Sequence, residues 1–340
     1  MFDNIGSFEA HKAKIIIVGA GGAGNNTITA LTERGIQVAE TVAVNTDAKH
    51  LSISKAGRKI FIGKSLTKGL GAGGYPEVGK NACLENKDEI KNMVKGCDLL
   101  FLTCGLGGGT GTGSAPVIAR FAKEAGAIVI AAVTLPFRLE GARILKAEEG
   151  LAELRNNCDT VIAIENQRLL MVAKGQPLKA AFAIADGLIA NMIKGITETI
   201  SVPSLVNLDY ADVRAIMQHG GVAAIGIGES ESENRAEEAV KSALEHPLID
   251  VDYHGASGAL IQVVCGDDIR LDEINRVGEI VQSYMDPHAQ VIWGARVLPE
   301  MKHKIQVITI LTGVKSPYIL GPVNKDKAML EKTLDIRIIK

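Results

Sequence analysis

The chain has 340 residues, 46% hydrophobic but only 4% aromatic, with 37 glycines, so more than one domain and an aliphatic core are expected. Lys and Arg total 37 against 39 Asp and Glu, a net charge of −2, which argues against the broad basic face of a nucleic-acid or anionic-membrane binder. Five cysteines (Cys83, Cys97, Cys104, Cys158 and Cys265) include no Cys-x-x-Cys pair, a pattern of buried thiols in a reducing cytoplasm and not of a disulfide frame or zinc site.

Residues 1–13 read as a mixed, charged arm without the apolar run of a signal peptide. Lys14-Ile15-Ile16-Ile17-Val18 is continuously apolar, as a strand buried on both faces should be. A glycine turn and a helix over about 25–34 follow, then a strand at 41–44 ending in Asn45-Thr46-Asp47. Residues 69–79 form a glycine-rich loop before a helix, and a charged helix over 85–95 precedes a strand at 99–103. Strands at 127–133 and 160–164 continue the alternation with helices, which predicts an α/β fold with a doubly wound parallel sheet. Such a sheet binds its ligand at the carboxyl ends of the strands. The longest apolar run, 125–137, is too short to cross a bilayer, so no direct membrane insertion is expected.

Residues 178–200 carry Phe182, Ala185, Ile189, Met192, Ile193, Ile196 and Ile200 at helical spacing and predict a long amphipathic helix, broken at Val202-Pro203. A helix start at 207–214 follows. Beyond Gly220-Gly221, strands at 222–227, 258–264, 290–297 and 304–312 alternate with helices at 233–245 and 271–285. This second unit reads as a smaller α+β domain with a four-stranded sheet. The expected division is an arm (1–13), a nucleotide domain (14–177), a central helix (178–201), an acidic loop and helix (202–221), the α+β domain (222–315) and a tail (316–340).

The run Gly107-Gly108-Gly109-Thr110-Gly111-Thr112-Gly113-Ser114 lies between a strand and a helix. Glycine lets backbone N–H groups approach a ligand closely, and a helix start offers unpaired N–H groups and a positive dipole end. Together they cradle phosphate. Without Gly-Lys-Ser/Thr this is no Walker loop, so backbone and threonine hydroxyls must do the holding. Gly19-Ala20-Gly21-Gly22-Ala23-Gly24 also matches G-x-G-x-x-G, and Asp47 follows the second strand. That pair alone equally suits an NAD-dependent Rossmann oxidoreductase. A dinucleotide fold has no need of a second polyglycine loop, whereas two such loops with residues 69–74 can enclose a triphosphate.

Asp209 and Asp212 lie on one side of a first helical turn. They read either as N-cap and dipole partner or as paired carboxylates that polarise a water. Glu140 and Arg143 read as a solvated helix start or as ribose and phosphate partners. Phe182 and Asp186 share a helix face at i, i+4. Phe182 is simplest as core. Asp186, among Ile184, Ala185, Leu188 and Ile189, needs a donor, and guanine N1–H and N2–H₂ would suit it. The seven histidines form no His-Glu-x-x-His, and no Ser/His/Asp or Cys/His set stands out.

Taken together, these residues resemble the FtsZ family of tubulin-like cell-division GTPases over about residues 14–314. The run 107–113 looks like the tubulin-type signature loop. Gly21-Gly22-Ala23-Gly24-Asn25-Asn26, Asn45-Thr46-Asp47, Gly69-Leu70-Gly71-Ala72-Gly73-Gly74 and Pro136-Phe137 stand where the family keeps its other nucleotide loops, and 207–214 resembles its synergy loop. Gly226-Ile227-Gly228-Glu229-Ser230 and the short tail look more like archaeal members. The resemblance implies GTP with Mg²⁺ carried on phosphates and water, not on protein ligands. It implies nucleotide contacts from Gly21, Gly22, Ala23, Gly24, Asn25 and Asn26, from Asn45, Asp47, Gly73 and Gly74, and from Pro136. Gly107, Gly108, Gly109, Thr110, Gly111, Thr112 and Gly113 would serve the phosphates, Glu140 the ribose and Arg143 a phosphate. Asn166 and Asp186 would read guanine, with Phe182 against the ring. Asn207, Asp209 and Asp212 would orient the attacking water on the neighbouring subunit's GTP. Here Glu140-Gly141-Ala142-Arg143 is one residue shorter than the family's usual spacing, and Ile164-Glu165-Asn166 replaces Ile-Pro-Asn.

The helix at 178–200 spans on the order of 30 Å at about 1.5 Å per residue, which puts the acidic loop out of reach of its own nucleotide. Head-to-tail assembly into an open filament is therefore expected, with hydrolysis weakening each junction. The expected setting is the cytoplasm at the division site, with a membrane-anchoring adaptor on the end peptide Leu334-Asp335-Ile336-Arg337-Ile338-Ile339-Lys340. A filament protein that binds GTP without hydrolysing it is the other alternative.

Overall fold

A computed structural model describes residues 13–202, 204–220, 223–245, 252–314 and 319–320. The expected arm at 1–12, the break at Pro203, the Gly221 junction and the end peptide lie outside the described residues.

In chain order the first unit runs β1 (Ile15–Ala20), α1 (Gly21–Glu33), β2 (Glu40–Asn45), α2 (Ala48–Ile53), β3 (Arg58–Phe61), α3 (Lys64–Thr67), α4 (Pro76–Glu85) and α5 (Lys87–Val94). It continues with β4 (Leu99–Gly105), α6 (Thr110–Glu124), β5 (Ile128–Leu135), a 3₁₀ turn (Arg138–Glu140), α7 (Ala142–Arg155), β6 (Thr160–Glu165) and α8 (Asn166–Val172). Then come α9 (Leu178–Ser201), α10 (Tyr210–Gly220), β7 (Ala223–Ser230), α11 (Arg235–Leu244), β8 (Ala256–Cys265), α12 (Leu271–Gln282), β9 (Met285–Val297), a 3₁₀ turn (Pro299–Met301), β10 (Ile305–Thr312) and β11 (Ile319–Leu320).

The larger sheet has the order β11-β6-β5-β4-β1-β2-β3, parallel throughout except β11, which pairs antiparallel with β6. Strand order reverses between β1 and β4, and the crevice at that switch point is where an open α/β sheet binds ligands. Alternation within each apolar strand feeds two cores. Ile15, Ile17, Leu99, Phe101, Ile128 and Ile130 face one layer; Ile16, Val18, Leu100, Leu102, Val129 and Ala131 face the other. The period of two explains why both faces need apolar residues and the runs read as continuous.

The smaller sheet has the order β7-β10-β8-β9, antiparallel except for the β8–β9 pair. Helix α9 joins the two units. Its Ile189, Met192, Ile193 and Ile196 belong to one core with Ile17 and Phe101 of the first sheet and Leu260, Val307 and Ile308 of the second. Lys179–Ser201 is long and apolar enough to cross a bilayer by composition alone, but most of it is buried inside the fold.

Some elements differ from expectation. β3 was not anticipated: of Arg58-Lys59-Ile60-Phe61 only Ile60 is fully buried, since a sheet edge tolerates charge. The expected charged helix at 85–95 is α5, and the helix expected after the 69–79 loop is α4, which begins inside that loop at Pro76. The first helix begins at Gly21, inside the expected turn. β9 begins at Met285, five residues early, and shortens the preceding helix.

Candidate functional site

A cavity of about 310 Å³ opens at the carboxyl ends of β1, β4 and β5. Two helix N-termini face it, those of α1 and α6. Gly21 takes φ +71°, and a Cβ there would lie 2.8 Å from the Gly111 nitrogen, so only glycine lets the two helix starts come so close. Neither helix has a side-chain cap, and neither has an acidic residue in its first turn. Their first N–H groups and positive dipole ends are therefore left for an anion.

The lining takes in Gly21, Gly22 and Ala23 from the first glycine segment and Gly108, Gly109, Thr110 and Gly111 from the second. Pro136, Glu140, Arg143, Asn166 and Phe182 complete the anticipated part. Ala20, Gly105, Leu106 and Thr134 also line it and were not anticipated; each sits at or just past a strand end, a position the topology would have flagged.

Glu140 is engaged on both oxygens. Oε1 accepts from the Phe137 N–H at 2.9 Å and Oε2 from Arg143 Nη1 at 2.6 Å. The Arg143 side chain is 61% exposed, so the shortened spacing still brings its guanidinium to the cavity rim. Phe182 packs edge-on against Phe137 with ring centroids 5.9 Å apart, yet stays 38% exposed and lines the cavity. The Asn166 side-chain oxygen is buried with no hydrogen-bond partner. A native fold rarely leaves such an atom unpaired, which marks it as an acceptor for something that enters the cavity. Asp186 lies one helical turn beyond Phe182, and its Oδ1 accepts from the Thr27 hydroxyl at 2.7 Å. Burial pushes its carboxyl above the usual range, against smaller lowering effects of Thr27 and Arg34.

The remaining anticipated residues stand behind the lining. Asn25 is buried, its Oδ1 accepting from Asn45 Nδ2 at 2.8 Å. The Asn45 carbonyl side chain accepts in turn from the Asp47 N–H at 3.1 Å. Asp47 caps α2 by accepting from the His50 N–H at 2.9 Å. The Thr46 and Thr110 hydroxyls meet at 2.6 Å. Gly24 presses on Thr103 and Gly19 of the strands, and Gly113 on Pro76 of α4. The Gly107 N–H donates to the Thr112 hydroxyl at 3.0 Å. Asn26 is exposed on α1, and Gly73 and Gly74 belong to a loop that touches Gly109 through Ala72 and Tyr75.

Asn207, Asp209 and Asp212 are elsewhere. Asp209 Oδ1 accepts from the Asp212 N–H at 2.9 Å, and Asp212 Oδ2 accepts from the Asp209 N–H at 3.0 Å. This reciprocal pair starts α10, and each carboxylate keeps its second oxygen. Asn207 accepts from the Ser204 N–H. Backbone bonds between Val206 and Ala295 tie the loop to β9. The Tyr210 hydroxyl donates to the Asp98 carbonyl at 3.0 Å, just before β4 begins, whereas the cavity sits past the other end of that strand.

All five cysteines are buried and free, and burial raises the Cys83 and Cys104 thiols to about 12. No group of three or more His, Cys, Asp or Glu able to hold a metal occurs among the described residues. A larger groove of about 630 Å³ lies between α12 and β9. It contains none of the residues singled out above and is mostly aliphatic.

Comparison with known proteins agrees with this fold. The model of the Tubulin/FtsZ family GTPase domain matches residues 14–174, and that of the FtsZ family C-terminal domain matches residues 221–315. Cell division protein FtsZ 2 of Methanocaldococcus jannaschii is 54% identical over 327 residues, 95% of this chain and 86% of that protein. Cell division protein FtsZ 1 of Archaeoglobus fulgidus is 52% identical, covering 91% of this chain and 84% of its own length. A solved M. jannaschii FtsZ dimer, 51% identical, superposes with a TM-score of 0.83 over 90% of this chain and 89% of that one.

Proposed function

Because the chain belongs to the Tubulin/FtsZ family, we propose that guanine nucleotide occupies the cavity at the β1–β4 switch point and that a second copy's acidic loop completes the hydrolytic site. The chain is a GTPase of cell division. Phosphates fit the uncapped starts of α1 and α6, with Arg143 at the rim. The base fits between Phe182 and the unpaired oxygen of Asn166, with Asp186 accepting from its N–H groups.

Mg²⁺ bound to the phosphates would neutralise developing charge. Among the described residues the cavity has one lining carboxylate, Glu140, which is already held by Arg143 and Phe137, and this fits a metal carried by phosphate oxygens and water. The dinucleotide alternative is not favoured, since the family models matched over residues 14–174 and 221–315 are those of Tubulin/FtsZ. The matched family is one of GTPases, which disfavours the non-hydrolysing filament too.

One observation carries the shared-site reading. Tyr210, next to Asp209, bonds to the amino end of β4, while the cavity lies beyond the carboxyl end of the same strand. A chain cannot bring its own acidic pair to its own nucleotide without unfolding that strand's surroundings. A head-to-tail neighbour can, and such a heterologous contact repeats into a filament. Phosphoryl transfer to water asks mainly for in-line positioning, which the second oxygens of Asp209 and Asp212 supply, with Asn207 beside them. Loss of the terminal phosphate then weakens the junction. We place this activity in the cytoplasm at the division site, with a membrane-anchoring adaptor on residues 334–340.

The test is phosphate release against protein concentration for the wild type and Asp212→Ala. Specific activity should climb with concentration in the wild type. Asp212→Ala should bind GTP normally yet turn over about 10²- to 10⁴-fold more slowly, the range for loss of a general acid–base group. Full-rate hydrolysis by dilute monomers, or normal turnover in the variant, overturns the shared site.

A further inference from the structure

The groove between α12 and β9 has no part in the nucleotide site. Ile261 and Val263 of β8 and Val277 of α12 are its buried floor, and Val291 and Trp293 of β9 are its outer wall. Trp293 is the single tryptophan of the chain, yet it is 44% exposed, and Leu271 at the rim is 79% exposed. A Cβ on Gly278, also in the lining, would meet nothing within 4 Å, so the space over α12 is open to a side chain. Large apolar side chains left exposed together mark an interaction surface.

The groove borders a free sheet edge. β9 is the last strand of the smaller sheet. Ala295 exchanges both backbone bonds with Val206, at 3.0 and 3.1 Å, so its N–H and C=O point away from β8. These groups alternate in direction along a strand, and those of Val291 and Trp293 therefore point the same way. Among the described residues, the Val206 bridge alone covers this edge. An uncovered edge is a template for one more strand.

Residues 334–340, Leu-Asp-Ile-Arg-Ile-Ile-Lys, alternate apolar and charged over their first five positions, the pattern of a strand with one apolar face. Leu334, Ile336 and Ile338 share that face. The chain is long enough to bring it to the groove. β11 packs beside β7, and β9 stands three strands across the sheet from β7, about 15 Å at the usual strand spacing. The thirteen residues between Leu320 and Leu334 reach about 45 Å when extended.

We infer that residues 334–340 dock on the chain's own β9 edge, with Leu334, Ile336 and Ile338 seated in the α12–β9 groove over Val291 and Trp293. A tether of this length gives an effective concentration of about 1 mM, well above that of a second copy in dilute solution. Docked residues are withheld from the adaptor proposed above, so the groove and the adaptor compete for one peptide. Docking needs no nucleotide in the cavity.

Trp293 reports on the groove directly, since no other tryptophan contributes to the emission. The experiment compares the full chain, free of nucleotide and at increasing dilution, with the double variant Ile336→Asp, Ile338→Asp. Trp293 of the wild type should emit to the blue of the variant and be quenched less by acrylamide, to the same extent at every dilution. Circular dichroism and melting should be alike in the two chains. A synthetic peptide of residues 334–340, added to the variant at about 1 mM to match the tether, should restore the wild-type emission, and the peptide carrying the same two aspartates should not. Equal emission and quenching in wild type and variant, or a variant that the peptide does not restore, overturns the docking. Cover of Trp293 that disappears on dilution gives the groove to a second copy and overturns it too.

Discussion

Asp186 answers to two demands at once. Burial raises its carboxyl above the usual range, more than the Thr27 hydroxyl and Arg34 lower it. A group whose folded pKa is raised contributes stability at low pH that is lost as the pH climbs through the raised value. At neutral pH the ionised carboxylate is thus a cost to the nucleotide-free fold, offset only when donors arrive. Asp186→Asn keeps an acceptor for Thr27 and removes the charge. Its nucleotide-free form should melt above the wild type at neutral pH, with the gap closing in acid. Its GTP binding should weaken by about 1.5–3 kcal/mol, the usual worth of a bond to a charged group. Melting curves across pH, with and without GTP, check both halves; a variant that melts lower yet binds GTP normally removes Asp186 from the site. The anomaly of this aspartate is legible in its aliphatic neighbours alone. Its partner is not, because Thr27 stands 159 positions away and a threonine in a helix draws no attention.

The glycine runs show how packing and binding share one element. In the second run, residues 108–111 line the cavity, but Gly107 and Gly113 serve helix packing. A Cβ on Gly113 would fall 1.9 Å from the Pro76 carbonyl oxygen, so α6 and α4 touch backbone to backbone. Gly113→Ala should force these helices apart and cost about 1–3 kcal/mol, as overpacked cores do. Urea unfolding should register it for the nucleotide-free protein. Unchanged stability combined with lost GTP binding would instead make Gly113 a ligand contact. Sequence periodicity located every strand that builds the cavity, because those strands are buried on both faces and read as unbroken apolar runs, but β1, β4 and β5 each run two residues past the expected end. Periodicity and glycine spacing together gave the loops that follow those strands. They could not sort glycines that meet a ligand from glycines that meet a helix, since both uses ask only for a missing Cβ. Edge strand β3 escaped for the opposite reason: Arg58 and Lys59 suit a sheet margin and hide the strand signal.

At the scale of the molecule, one helix sets the distance between two half-sites. α9 begins beside the cavity with Phe182 and ends at Ser201 before the acidic loop, its apolar face locked into both sheets by Ile189, Ile193 and Ile196. At about 1.5 Å per residue its length is on the order of 35 Å, and the shared core leaves it no freedom to fold back. Two damaged chains should therefore repair each other. One variant, Asn166→Ala with Asp186→Asn, loses nucleotide but keeps a sound acidic loop; the other, Asp212→Ala, keeps nucleotide but has a dead loop. In an equal mixture, a junction works only when the cavity comes from the second and the loop from the first. Random head-to-tail pairing makes such junctions about one in four. Phosphate release from the mixture should accordingly recover towards about a quarter of the wild-type rate, although each variant alone is nearly silent. Complementation requires the hydrolytic groups to come from different chains, so a mixture that stays as silent as its components would mean that each chain carries its whole site within itself.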